Sequence, residues 1–235
     1  MKNTSILDTP IDFDSGDFFS LVSLAAGAAI AQQDAMGEQV IGDGGWRLDI
    51  VGRSISLGGR DFPCGLIGSE DTAQGTWLWG WAATQSNLPE SFSAPSRRAK
   101  RALSGTAEFS QGKFMLDELH TGHNLSMVCT GVSGESVCYY RCPYDGGAFF
   151  VQVEGLPDEV FAPLEPQCLM RRYLEIVRSF YCDHRLLAAG FLYRNGTDFT
   201  LDNDGAVTAD FGRTLLRFDF ENAGGLYRVT NISFH

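Results

Sequence analysis

Strand-like segments in this chain come in neighbouring runs, and that ordering constrains the fold more than any other feature. Period-two alternation marks 46–50, 54–57, 62–69 and 75–83, then 136–142 and 148–153, then 198–201, 206–211, 214–221 and 226–234. Within each run the joins are short and rich in turn residues, such as Pro143-Tyr144-Asp145-Gly146-Gly147 and Asn222-Ala223-Gly224-Gly225. Strands joined so tightly pair antiparallel, because a parallel partner needs a crossover of about a dozen residues. Helical spacing fills the gaps. It predicts helices over 18–36 (Asp17 as N-cap, Gly37 as stop), 96–103, 115–129, 167–179 and 184–194, the last behind Asp183. The expectation is α+β, with antiparallel β-meanders and hairpins packed against about five helices.

The 235 residues are 44% hydrophobic and 20% charged, enough for a sizeable core. Net charge is −11, which repels a phosphate backbone and argues against nucleic acid as a partner. Residues 1–16 are Asp-rich and read as a flexible acidic arm before a single domain at 17–235, with room for a division into two lobes near 105–113. The apolar run 21–31 follows Asp8, Asp12, Asp14 and Asp17 instead of a basic flank, so it reads as a helix and not as an export signal. It also falls short of the roughly 20 residues that span a bilayer. Six cysteines are sparse for this length, and Cys138 and Cys142 lack zinc-ligand spacing. Buried, reduced thiols in a cytoplasmic protein are expected, with no membrane partner and no cofactor.

The most unusual segment is Gly75-Thr76-Trp77-Leu78-Trp79-Gly80-Trp81-Ala82. On one continuous strand, Trp77, Trp79 and Trp81 share a face, either as the heart of a core or as the aromatic wall of a ligand pocket. Leu78, Gly80 and Ala82 leave the other face open to a helix. In the second hairpin Tyr139 and Arg141 also share a face, a guanidinium beside an aromatic ring that suits recognition. These five residues are the candidate ligand-binding set.

With Trp46-Arg47-Leu48-Asp49, Ser54–Leu57 and Leu66-Ile67-Gly68-Ser69, the tryptophan segment resembles a family of uncharacterised bacterial proteins, a domain of unknown function marked by a G-T-W-L-W-x-W-A strand. The resemblance continues through Tyr139-Tyr140-Arg141-Cys142-Pro143 and Asp183-His184-Arg185. Ala83 stands where that family often carries Asn, so a polar role at that position does not carry over. The resemblance implies a bacterial, cytoplasmic domain and brings no activity with it.

Chemistry-bearing patterns are few. His120 and His123 would share a face of the 115–129 helix, acceptable for two metal ligands, but the H-E-x-x-H pattern is absent and Gly122 weakens the helix. Cys182-Asp183-His184 are sequence neighbours, which rarely face one another, and Asp183 is engaged as an N-cap. Asp202-Asn203-Asp204-Gly205 fails as a calcium loop because Phe211 falls where a Glu is required. No phosphate-binding glycine loop and no nucleophile elbow occurs. Arg97, Arg98, Lys100 and Arg101 make the one dense positive run. Spread over more than half of a helix they form a solvated face; gathered, Arg97, Arg98 and Arg101 would dock an acidic partner. The reading preferred is a non-catalytic binding or protein-interaction domain, taking a protein partner or a small ligand. The alternative is a hydrolase whose groups meet only in the fold, and a third class is an immunity-type partner of a toxin or effector.

Overall fold

A helix built from alanines and leucines with little polar surface belongs inside a protein, and α1 (Phe18–Met36) is there: Leu21, Val22, Leu24 and Ala26 are wholly buried. The computed structural model describes residues 4–84, 88–134 and 136–235. Asp17 caps α1 by accepting from the Ser20 amide at 3.0 Å, as the sequence predicts. Gly37 is the C-cap of α1, as the sequence predicts, but the chain does not turn away there. Its backbone stays right-handed (φ −57°), and the chain runs on through a π-type turn, Gly37–Ile41, until Gly42 takes φ +52°. The left-handed glycine that reverses the chain is Gly42, five residues beyond the stop that the sequence marks.

Residues 4–16, expected as a flexible arm, lie against the body. Ile6, Thr9 and Ile11 are buried, Arg194 donates to the Thr4 carbonyl, and Thr106 donates to the Ser15 carbonyl at 3.1 Å. Two isoleucines among the aspartates supply the anchor.

The meander forms as β1 (Trp46–Asp49), β2 (Ser54–Leu57), β3 (Arg60–Asp71) and β4 (Thr76–Trp79), each antiparallel to the next. β3 is the spine. Its first half pairs with β2, its second half pairs with β4 on the same edge, and β7 (Gly147–Val153) lies along the other edge. The second hairpin, β6 (Cys138–Tyr144) with β7, therefore joins the same sheet. A short strand β5 (Lys113–Met115) pairs with β4 and completes seven strands. Along β7, Ala148 and Phe150 face the larger core while Val151 and Val153 face a second core around Ile55, Leu66 and Phe161, so this sheet separates two apolar layers.

Three further helices precede the second hairpin: α2 (Ala94–Ala102), the single turn α3 (Ala107–Ser110) and α4 (Gly122–Gly131). The expected helix over 115–129 is thus corrected. It starts at Thr121, whose side chain accepts from the Asn124 amide, because 113–115 are taken by β5 and Asp117 holds the following residues in a turn.

After α5 (Pro166–Ser179) and α6 (His184–Asn195), the last four strands form the expected meander: β8 (Asp198–Leu201), β9 (Val207–Asp210), β10 (Leu215–Ala223) and β11 (Leu226–Phe234). Val207, Ala209, Leu216 and Phe218 bury the inner face, with Phe218 edge-on to Tyr173 at 4.9 Å. The larger core runs from Ile6 to Phe218, drawing on residues before and after the 105–113 segment. Glycine lets α1 and α6 meet. A Cβ at Gly27 would stand 2.6 Å from that of Phe191, and one at Gly190 would collide with the Leu24 carbonyl.

Candidate functional site

Helix α2 decides where the positive charge goes. Its inner arc is small and apolar: Pro95, Ser96 and Ala99 are buried, with Pro95 over Gly65 of β3 and Ser96 over Gly80. A Cβ at Gly65 would stand 2.7 Å from Pro95, so the helix sits directly on the sheet. The outer arc holds Lys100, Arg97, Arg101 and Arg98. At 100° per residue these span roughly 160°, under half the circumference, and the expected wider spread is corrected. Arg97 Nε donates to Ser93 Oγ at 3.0 Å, and its guanidinium pairs with exposed Glu90 at 3.4 Å, a surface contact of small worth.

This outer arc borders three adjoining concavities. The first, about 700 Å³, lies between the start of α2 and the strands β2 and β3, with Arg53, Asp61, Ser91, Pro95, Arg98 and Glu154 among its walls. At Ser91, Ala94 and Arg98 it meets a second, about 600 Å³, which adds Glu90, Arg97 and Arg101. A third, about 260 Å³, shares Arg97 and Arg101 and adds Lys100 and Trp81. Five cations and three carboxylates thus line one continuous track on a chain of net charge −11.

Trp81 reaches the track because it leaves the strand. β4 ends at Trp79, whose amide bonds the Gly112 carbonyl at 3.0 Å, and Gly80–Ala82 form a 3₁₀ turn. Trp81 is half-buried under the Lys100 ammonium, 3.4 Å from the ring centroid. The expectation of three tryptophans in one stripe is corrected to two. Trp77 and Trp79 are fully buried, edge-to-face at 5.3 Å, with Trp79 against Phe109 and Trp77 against Phe150. Trp79 Nε1 donates to the Glu108 carbonyl at 2.8 Å.

Residues 20–156, from α1 through β7, match the model of DUF6882, described as a family of unknown function. The chain belongs to the DUF6882 family. Every residue named on the track lies within the DUF6882 match, whereas α5, α6 and the four-stranded sheet lie beyond it. Comparison with the curated proteins and with the solved structures gave no match.

The two histidines within the DUF6882 match part company. His120 sits in the turn before α4, its Nδ1 2.8 Å from Asp117 and its Nε2 3.0 Å from Glu108, with its ring stacked 5.2 Å from Phe18. Burial alone pulls its pKa down, but hydrogen bonds donated by the ring to the Asp117 and Glu108 carboxylates outweigh it and leave the imidazole above its ordinary value. His123, in the first turn of α4, lies 3.1 Å from the Tyr139 hydroxyl; burial and then the Arg141 charge lower its pKa. The helix expected to bring them onto one face does not extend back to His120. Among the described residues no group of three or more His, Cys, Asp or Glu is arranged to hold a metal ion.

Tyr139 and Arg141 do share a face of β6, as alternation predicts. Arg141 donates through Nε and Nη2 to Glu70 Oε1, so its charge is neutralised across the sheet, and burial keeps the Tyr139 phenol protonated. Cys182 is pushed up to about 12 by burial, Asp183 accepts from the amides of Arg185, Leu186 and Tyr227, and His184 Nδ1 accepts from Val229. Those three residues hold α6 against β11. All six cysteines are free, and five are buried. Where the calcium-loop reading failed, Arg217 bridges Asp202, Asp204 and Asp219.

Arg53, Lys100 and Glu108 were not among the candidate residues. Lys100 lay within the basic run; nothing local marks Arg53, and Glu108 is identified only by its distance from His120.

Proposed function

We propose that this chain is a non-catalytic binding protein of the bacterial cytoplasm that recognises acidic partners through the track along α2. The observation that carries the reading is the concentration of Arg97, Arg98, Lys100 and Arg101 on adjoining concavities of a chain whose net charge is −11. Opposed charge steers a partner to one patch while the rest of the surface repels it elsewhere. Free, buried thiols suit a reducing compartment, and no helix of the described residues is long and apolar enough to cross a membrane.

A hydrolase that works through a cysteine needs an activated thiolate beside a base. The strongest cysteine–histidine neighbourhood offers a thiol raised to about 12 and an imidazole occupied by a backbone amide, which favours binding over catalysis. The test is charge reversal. Arg97→Glu with Arg101→Glu is expected to abolish binding of an acidic peptide at low salt, with circular dichroism and melting temperature unchanged; binding that persists in the folded variant overturns the reading.

A further inference from the structure

Resting on the binding reading, we infer that the partner presents an extended acidic peptide segment, which runs the length of α2 and places a carboxylate on Arg53. Three observations converge. First, the concavities are continuous, sharing Ser91, Ala94 and Arg98 at one junction and Arg97 with Arg101 at the other. A compact ligand fills one hollow; a continuous track fits a linear one. Nine residues of α2 cover about 13 Å, so at about 3.3 Å per residue an extended chain needs four residues for the helix. One or two more carry it past the start of α2 to Arg53.

Second, Arg53 is the only non-glycine among the described residues with a left-handed backbone, φ +54°. Arg53 closes the 50–53 turn between β1 and β2, and that hairpin geometry imposes the conformation at the rim of the first concavity. Here the Arg53 carbonyl accepts from Cys64 at 2.9 Å, which holds the β2–β3 end of the first concavity in register. Third, that end carries both signs: Arg53 and Arg98 stand with Asp61 and Glu154. A continuous phosphate backbone meets repulsion from those carboxylates, whereas a peptide spaces its own carboxylates and passes between them. The Trp81 end carries Arg97, Lys100 and Arg101 against the single exposed carboxylate of Glu90, and takes the densest negative charge.

The experiment compares hexaglutamate, diglutamate, tripolyphosphate and a six-nucleotide single strand by calorimetry, using the full chain, Arg53→Gly, Arg53→Lys and the Arg97→Glu/Arg101→Glu double variant. Glycine adopts the left-handed backbone freely, so Arg53→Gly is expected to fold at least as well as the parent, which its melting temperature checks. Hexaglutamate should bind at least tenfold more tightly than diglutamate, and Arg53→Gly should remove about tenfold (1.4 kcal/mol) from the hexamer while sparing the dimer. Arg53→Lys should retain most of the gain. If Arg53→Gly changes nothing while the double variant loses all binding, the extended segment is wrong and the binding reading stands. If the double variant still binds, the binding reading itself fails. Tighter binding of tripolyphosphate or the oligonucleotide overturns the peptide in favour of a general polyanion surface.

Discussion

The Lys100 ammonium lies 3.4 Å from the centroid of the Trp81 ring, joining the helix that carries the positive charge to the turn that ends the tryptophan strand. A cation over an indole face is worth about 0.5–1 kcal/mol at exposed sites. Lys100→Met is therefore expected to lower stability by about that amount in urea denaturation. In a Trp46→Phe background, which removes the exposed indole, it should also alter Trp81 emission, since Trp77 and Trp79 are sealed from solvent. An unchanged emission spectrum would separate Trp81 from Lys100 in solution.

Trp77 is a packing residue. Its ring occupies the space above Gly68, and it meets Trp79 and Phe150 edge-on. Trp77→Ala should cost about 3–5 kcal/mol in chemical denaturation, as for other buried aromatics. Gly68→Ala should also destabilise, because its new methyl meets the indole. A loss below about 1 kcal/mol for Trp77→Ala contradicts its placement in the core.

His120 ties the α3 turn to the approach of α4. Its pKa is raised, so the stabilisation it gives is complete below the ordinary imidazole value and fades as pH rises through the raised one. Asp117 is lowered, chiefly by the His120 amide, so its contribution is present above the ordinary carboxylate value and fades as pH falls through the lowered one. The latch is tightest between those limits. His120→Gln should flatten the alkaline side of a melting-temperature profile across pH 6–8; a profile identical to the parent's would remove His120 from the latch.

The DUF6882 match ends at residue 156, yet α1 inside it is covered by α6 outside it. A fragment of residues 20–156 should bind a hydrophobic dye and unfold without cooperativity, because the α1 face around Gly27 loses Phe191. Gly190→Ala in the full chain should weaken the same contact through its clash with the Leu24 carbonyl. A cooperative unfolding transition in the fragment would show that the matched segment stands alone.

What the sequence made legible was local. Turn residues bracket β2, β6, β7 and the last four strands closely, and Asp17 and Asp183 cap helices as their side-chain chemistry requires. What escaped depended on distant partners or on backbone conformation. Lys113–Met115 is a strand only because β4 lies beside it, and that pairing ended the expected 115–129 helix before it began. Trp81 obeys strand alternation on paper, but the turn at Gly80 swings it out of the core stripe. Gly37 ends α1 as expected, but its backbone stays right-handed and an unforeseen π-type turn carries the chain on to Gly42. On the track itself, Arg97, Arg98 and Arg101 were visible as a charge run, whereas Arg53 is brought to them by the pairing of β2 with β3 and by a left-handed backbone that the sequence does not announce.

The most direct measurement is a calorimetric titration of the full chain with hexaglutamate at low salt, repeated with Arg97→Glu/Arg101→Glu. The parent should bind, with affinity falling as salt screens the track, and the folded double variant should not. Equal binding by parent and variant, or no binding by the parent, would contradict an acid-recognising surface along α2.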